Sequence, residues 1–305
     1  MSAGSSSATS SVAPSSSGPP QPVCGLGGPA NPLARWPAEG NALDSAGPHH
    51  GTLAATTFGS GLVGSAFNLD GVSSYVSVPD GIIPNVAPSF AVTAWINLRT
   101  QPGPEDMKVY YAGTGGGEFQ MAIQSNHALM CGVHLALDGQ WYYSRSPAGY
   151  ITLGDWHHVG CVRRGGSLEA WVDGVLRGGT TIAFDVLVIG TGTRSSLGVY
   201  NRGNIGLFNG LMDEVRVYQA APDATQMATA MEACVSTCTP PGTVCRGACL
   251  SPLPETGCGS ATCDPCALAN ITGATCTGQM CDYLECQPGW LDTDGVRANG
   301  CEEPE

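Results

Sequence analysis

The stretch GDWHHVGCVRRGGSLEAWVDG, residues 154–174, sets a Trp-His-His run ahead of two strand-like stretches and closes on an Asp-Gly turn. Side chains alternate across an extended chain, so His157 projects with Val159 and Cys161 while His158 projects to the other face. Rings on opposite faces do not converge on one metal or one substrate. Both histidines are therefore expected to be part of the wall of a β-structure. His49 and His50, in the Gly/Pro-rich AGPHHG, are expected in a solvated loop.

The same period of two extends outward from this stretch. SAFNLDGVSSYVSVPD (65–80), SFAVTAWINL (89–98), EFQMAIQ (118–124), ALMCGVHLAL (128–137), WYYSRS (141–146) and LMDEVRVYQ (211–219) all read better as strands than as helices. In the second, Phe90, Val92, Ala94, Ile96 and Leu98 share one face. In the last, Leu211, Asp213, Val215 and Val217 share a face, and Glu214, Arg216 and Tyr218 take the other. One helix is expected at PDATQMATAMEA (222–233), with Pro222 in its first turn.

Composition divides the 305 residues into three parts. Residues 1–22 are Ser, Ala and Pro with almost nothing to bury, a flexible tether. Residues 23–236 carry the strands. Residues 237–305 form a cysteine-rich tail: of fourteen cysteines, eleven lie from Cys234 onward, and no histidine follows His158. That pattern predicts disulfide staples in an oxidising compartment rather than metal sites, including for CDPC (263–266). The protein is therefore expected to be secreted or at the cell surface, although no signal peptide is visible at the start of this sequence. No stretch reaches the roughly 20 apolar residues of a membrane helix. A formal charge of −13 with a single lysine, Lys108, argues against nucleic acid and anionic membranes as partners.

Five segments in order carry a family resemblance: PLARWPAEGNALDSAGPHHGTL, GLVGSAFNLDGVSSYVSVPD, SFAVTAWINL, GDWHHVGCVRRGGSLEAWVDG and FNGLMDEVRVYQAAPDATQM. Together they resemble the LamG-like jelly-roll domain of the concanavalin A-like lectin/glucanase superfamily. The resemblance implies an all-β fold, a two-sheet antiparallel jelly-roll sandwich, and it implies no particular ligand. The tail resembles cysteine-rich endings of bacterial surface proteins. In CQPGWLDTDGVRANGCE, Thr293 stands where that unit has a cysteine, which leaves open whether Cys286 and Cys301 pair with each other or elsewhere.

Enzymes of this superfamily place carboxylates alternately along one strand, as in E-x-D-x-x-E, because two carboxyl groups must flank a glycosidic bond. No such strand is present, and Asp213-Glu214 is expected to split across two faces. No G-x-S-x-G, P-loop or H-E-x-x-H occurs. A carboxylate at Asp213 among valines needs a partner. The expectation is a structural calcium, with Asp44 as the second carboxylate that the resemblance implies; a strand-end carboxylate accepting backbone N–H groups is the alternative. In GQWYYS, Trp141 and Tyr143 share a face suited to stacking on sugar rings. The resemblance brings the first and last strands together, and with them Cys24 and Cys234 as a clamp; Cys131 and Cys161 then remain, both on apolar strand faces. The function expected is an exported, non-catalytic binding or adhesion protein recognising a glycan or an extracellular protein. An accessory domain of a glycoside-active enzyme and a structural matrix element are the rivals.

Overall fold

The computed structural model describes residues 31–83, 86–114, 117–182, 187–188, 194–230, 243–245, 248–250, 254, 258 and 266–304. Two antiparallel sheets face each other. The first contains β1 (Ala34–Trp36), β3 (Thr57–Ser60), β4 (Ser65–Asp70), β7 (Ser89–Leu98), β12 (Trp156–Arg164), β13 (Ser167–Val172), β14 (Val175–Thr181) and β17 (Asn209–Tyr218). Its order is β14-β13-β12-β7-β17-β4-β3, with β1 also paired to β17. The second contains β2 (Thr52–Ala54), β5 (Tyr75–Ser77), β8 (Met107–Thr114), β9 (Gly117–Ile123), β10 (Leu129–Leu135), β11 (Gln140–Arg145) and β16 (Ser196–Leu197). It runs β11-β10-β9-β8-β16-β5-β2. A short pair, β6 (Val86–Ala87) with β15 (Leu187–Val188), lies outside both sheets.

The core is what the alternation requires. Phe90, Val92, Ala94, Ile96 and Leu98 of β7 face Phe119, Met121 and Ile123 of β9 and Leu129, Cys131, Val133 and Leu135 of β10 in one apolar cluster. Phe90 meets Phe119 edge to face, ring centroids 5.0 Å apart. Cys131 of β10 is bonded to Cys161 of β12, Cα atoms 5.5 Å apart, so a disulfide ties one sheet to the other. The Asp-Gly turn at the end of the opening stretch joins β13 to β14, and Asp173 and Gly174 both have positive φ, 50° and 72°. That is the geometry of a two-residue type I′ hairpin.

One strand departs from simple alternation. Asp213 of β17 pairs with Trp95 of β7 and Arg216 pairs with Thr93, so three steps along β17 meet two along β7. This is a β-bulge, with Glu214 at φ +50°. It reverses the parity of the strand: Met212, Val215 and Val217 are in the core, and Asp213 pairs opposite outward-facing Trp95. The expectation that Asp213 shares the apolar face of Val215 and Val217 is corrected. So is the split of Asp213 from Glu214, because the extra residue lets neighbouring side chains take one face.

The helix, α1 (Ala224–Thr229), is shorter than expected at its start. Asp223 rather than Pro222 opens it: Asp223 Oδ1 accepts the Gln226 N–H at 2.8 Å and Gln226 Oε1 accepts the Asp223 N–H at 2.9 Å, a reciprocal capping box. Met227 packs with Ala91, Val162, Trp171 and Tyr218 on the outer side of the first sheet.

In the tail, β18 (Thr243–Cys245) pairs with β19 (Ala248–Leu250), β20 (Ile271–Thr277) with β21 (Met280–Cys286) and β22 (Trp290–Leu291) with β23 (Glu303–Pro304). Disulfides join Cys258 to Cys276, Cys266 to Cys281 and Cys286 to Cys301. Cys286 and Cys301 thus pair with each other despite Thr293, and Cys266 of CDPC is a structural bridge. Cys24, Cys234 and their expected clamp lie outside the described residues.

Candidate functional site

The outward face of the seven-stranded sheet gathers the aromatic and polar side chains that its core face excludes. Register places Glu118, His134 and Trp141 in one row across β9, β10 and β11, and Gln120, Gly132 and Tyr143 in the next. Tyr111 of β8 and Ser196 of β16 continue that second row. Five strands at about 4.8 Å spacing give the row a span of about 19 Å. Trp141 and Tyr143 are nearly parallel, 4° between planes and 5.5 Å between centroids. His134 lies 5.2 Å from Trp141, and the Arg145 guanidinium sits 4.5 Å from the Tyr143 centroid. Tyr142, between them in sequence, turns to the core, as alternation demands.

Glycine at 132 lets the aromatic strip lie low. A Cβ there would come within 3.0 Å of both Tyr143 Cε1 and Gln120 Cγ, so any side chain would displace the two residues. Glu118 and Gln120 are each 6 % exposed, and Tyr111 is buried against Tyr200, centroids 4.5 Å apart. His134 Nδ1 is buried without a hydrogen-bond partner, and the Tyr111 hydroxyl lies among Tyr200 and Glu118. Burial, then Glu118, pushes the Tyr111 hydroxyl above its ordinary pKa, so it remains a neutral donor. The face thus offers apolar ring surface flanked by hydroxyl, amide, imidazole and carboxylate groups, the mixture that a polyol with apolar C–H faces can meet.

The other sheet carries a buried ionic cluster. Glu214 accepts two hydrogen bonds from Arg35, both 2.8 Å, and one from Arg216 at 2.7 Å. Burial would raise its pKa, but the two guanidiniums outweigh it and hold the carboxylate ionised. Asp213 is fully buried; burial, and Glu214 beside it, push its pKa up. Asp213 Oδ2 accepts the Val63 N–H at 2.9 Å, and its Oδ1 is buried without a partner.

Asp44 and Asp213, expected to share a calcium, have no hydrogen-bond partner in common. Asp44 Oδ1 accepts the N–H groups of Arg35 and Ala46, and Oδ2 accepts the His49 N–H and meets His49 Nδ1. Donors on both oxygens suit a loop-organising carboxylate and leave little lone-pair capacity for a cation. His50 Nδ1 accepts the Asp44 N–H at 3.1 Å, so the His-His loop is tied to this aspartate rather than simply solvated. The Trp-His-His pair is indeed wall. His157 spans from Asp173 Oδ2 at 2.9 Å to Thr152 Oγ1 at 2.8 Å, bracing the Asp-Gly turn. His158 packs on Trp95, and burial, then Arg216, lowers its pKa to about 3, keeping it neutral.

A two-sheet jelly roll with this core and register agrees with a family model that matches residues 70–228, just over half of the chain: Laminin_G_3, of the concanavalin A-like lectin/glucanases superfamily. The chain belongs to that family. No curated protein matches this Laminin_G_3 chain. Among solved structures, domain 4 of AbnA, a GH43 extracellular arabinanase from Geobacillus stearothermophilus solved in complex with arabinotriose, is similar at 20 % identity. The match covers 66 % of this chain and 98 % of that one, with a TM-score of 0.56. The binding domain of Paraclostridial Mosquitocidal Protein 1 is similar at 12 % identity over 65 % of this chain and 51 % of that one, TM-score 0.54. At such identities the likeness is one of fold alone. Among the described residues no helix is long and apolar enough to cross a membrane.

Sequence reasoning found Trp141 and Tyr143 but missed Glu118, Gln120, Gly132 and His134, which join them only through strand register. The signal available was the outward parity of EFQMAIQ and ALMCGVHL, polar or small at every second position except Met130.

Proposed function

We propose that this Laminin_G_3 sandwich is an exported, non-catalytic binding module that holds a glycan across the outward face of its seven-stranded sheet. The carrying observation is the strip of parallel Trp141 and Tyr143 beside Gly132, flanked by Glu118, Gln120 and His134. Ring surface takes the C–H face of a sugar, while the flanking groups exchange hydrogen bonds with its hydroxyls. Glycosidase chemistry requires two carboxyl groups about the bond, and Glu118 is the one acidic residue in these seven strands. Asp213 and Glu214 are closed off within the other sheet. Disulfides within the sandwich and the tail support export. The fold shared with a domain of an arabinanase also favours a role as accessory module of a glycoside-active protein.

The test is a glycan array that includes arabino-oligosaccharides, followed by calorimetry on hits with the full chain and with Trp141→Ala and Tyr143→Ala. Binding weakened about tenfold by each substitution, about 1.4 kcal/mol, supports the reading. Silence across the array, hits unaffected by both substitutions, or hydrolysis of a hit by the pure chain overturns it.

A further inference from the structure

Half of the outward face of the seven-stranded sheet is roofed. Tyr111 of β8 and Ser196 of β16 belong to the row of Gln120, Gly132 and Tyr143, yet both are fully buried. The cover is the segment between Gly198 and Phe208. Tyr200 stacks on Tyr111, centroids 4.5 Å apart, and its hydroxyl reaches across to Glu118 Oε2 at 3.4 Å. Gly206, at φ +65°, lies so close to β8 that a Cβ there would meet Lys108 Cγ at 2.9 Å and the Asp106 carbonyl at 2.7 Å. Hydrogen bonds pin the segment down: the Lys108 N–H donates to the Gly206 carbonyl at 2.9 Å, and Arg202 donates to the Val78 and Ser195 carbonyls at 2.7 and 3.1 Å. Tyr200 is therefore a fixed wall along the β8 side of the aromatic strip.

A second wall crosses one end of the strip. One step beyond the pairs Met107–Ile123 and Ile123–Leu129 come Asp106, Gln124 and Ala128. Gln124 Oε1 accepts the Arg145 Nε–H at 3.1 Å, and Gln124 Nε2 donates to Asp106 Oδ2 at 3.4 Å. These side chains make a hydrogen-bonded bar from β11 to β8, past the small Ala128. Inside both walls the floor is low, with Gly132 and Ala122 at its centre. It spans β9 to β11, about 10 Å across the strands, and three rows of side chains, about 14 Å along them. β11 is the outermost strand of its sheet, so that side is open. A glycan chain laid across the strands meets Tyr200, and one laid along them meets the bar. Resting on the reading of this face as a glycan site, we infer that the cleft seats the end of a glycan chain, a short run of terminal units, and that Tyr200 is the residue that excludes internal stretches.

The experiment titrates the full chain by calorimetry with a length series of one glycan: arabino-oligosaccharides with linear arabinan, or the same series of the glycan that the array selects. Seating of a chain end gives one protein per glycan chain at every length. Affinity per chain then stays within about twofold from the shortest bound oligosaccharide to the polymer, because lengthening adds no new end. Internal recognition instead loads several proteins on each polymer chain, and affinity per chain climbs with length. Tyr200→Ala removes the wall, so the polymer takes several proteins per chain; Tyr200→Phe keeps the stack on Tyr111 and keeps the count at one. If Tyr200→Ala fails to fold, Gln124→Ala cuts the bar and raises the count in the same way. One protein per chain in the wild type with several in an opened variant supports the inference. Several per chain in the wild type, or one per chain in both opened variants, overturns it and leaves the glycan reading standing; silence for every glycan removes both.

Discussion

Replacing Cys131 and Cys161 with alanine removes the covalent link between the sheets beneath the aromatic strip. The two half-cystines are separated by 30 residues. In the chain-entropy model, a closed loop of that length restricts the unfolded ensemble by about 12 cal/mol/K, or about 3.6 kcal/mol at 25 °C. Both residues are fully buried in the core, so truncation also loses sulfur packing, about 1 kcal/mol. The expected loss is then about 4–5 kcal/mol, which for a domain of this size corresponds to a fall in melting temperature of roughly 8–20 °C. Denaturant unfolding followed by tryptophan fluorescence, without reductant, measures it. Because Gly132 and Met130 flank Cys131 on β10, the strip beside them is expected to keep its native register in the variant, with glycan affinity retained below the melting point. A loss under about 1 kcal/mol refutes the reasoning, since it means that the unfolded chain is already restricted without the bridge.

Gly132→Val displaces Tyr143 and Gln120 from their places and is expected to abolish glycan binding while the melting temperature changes little; calorimetry and a thermal melt on one sample check both. Glu214→Ala leaves Arg35 and Arg216 without their shared carboxylate and is expected to cost about 3–5 kcal/mol, read by denaturant unfolding. Asp44→Ala strips acceptors from three backbone N–H groups, a loss of about 2–4 kcal/mol by the same measurement. The acid side of the stability profile follows from Asp44. Burial opposes ionisation there, but the hydrogen bonds from Arg35, Ala46 and His49 hold its pKa below 3.8. Its contribution is therefore complete above pH 3.8 and lost as pH falls through the lowered folded value, so Asp44→Ala should flatten that part of the profile. Parallel profiles for the two proteins would contradict this.

Period-two patterning determined the strands, the core face of SFAVTAWINL and the Asp-Gly hairpin, because each depends on neighbours along the chain. Family resemblance extended that to two sheets. Tertiary structure alone decided what the strands present together. Trp141, Tyr143, Gly132, Gln120, Glu118 and His134 come from three strands, and their grouping depends on register, which no local pattern specifies. The bulge at Glu214 is of the same kind. One extra residue against β7 inverts the parity that alternation assigns to Asp213, moving it from the valine face to the turn at Val63. Asp44 read as a cation ligand because aspartate in a Gly/Pro loop offers oxygen; only the folded loop shows backbone N–H groups already directed at both of those oxygens.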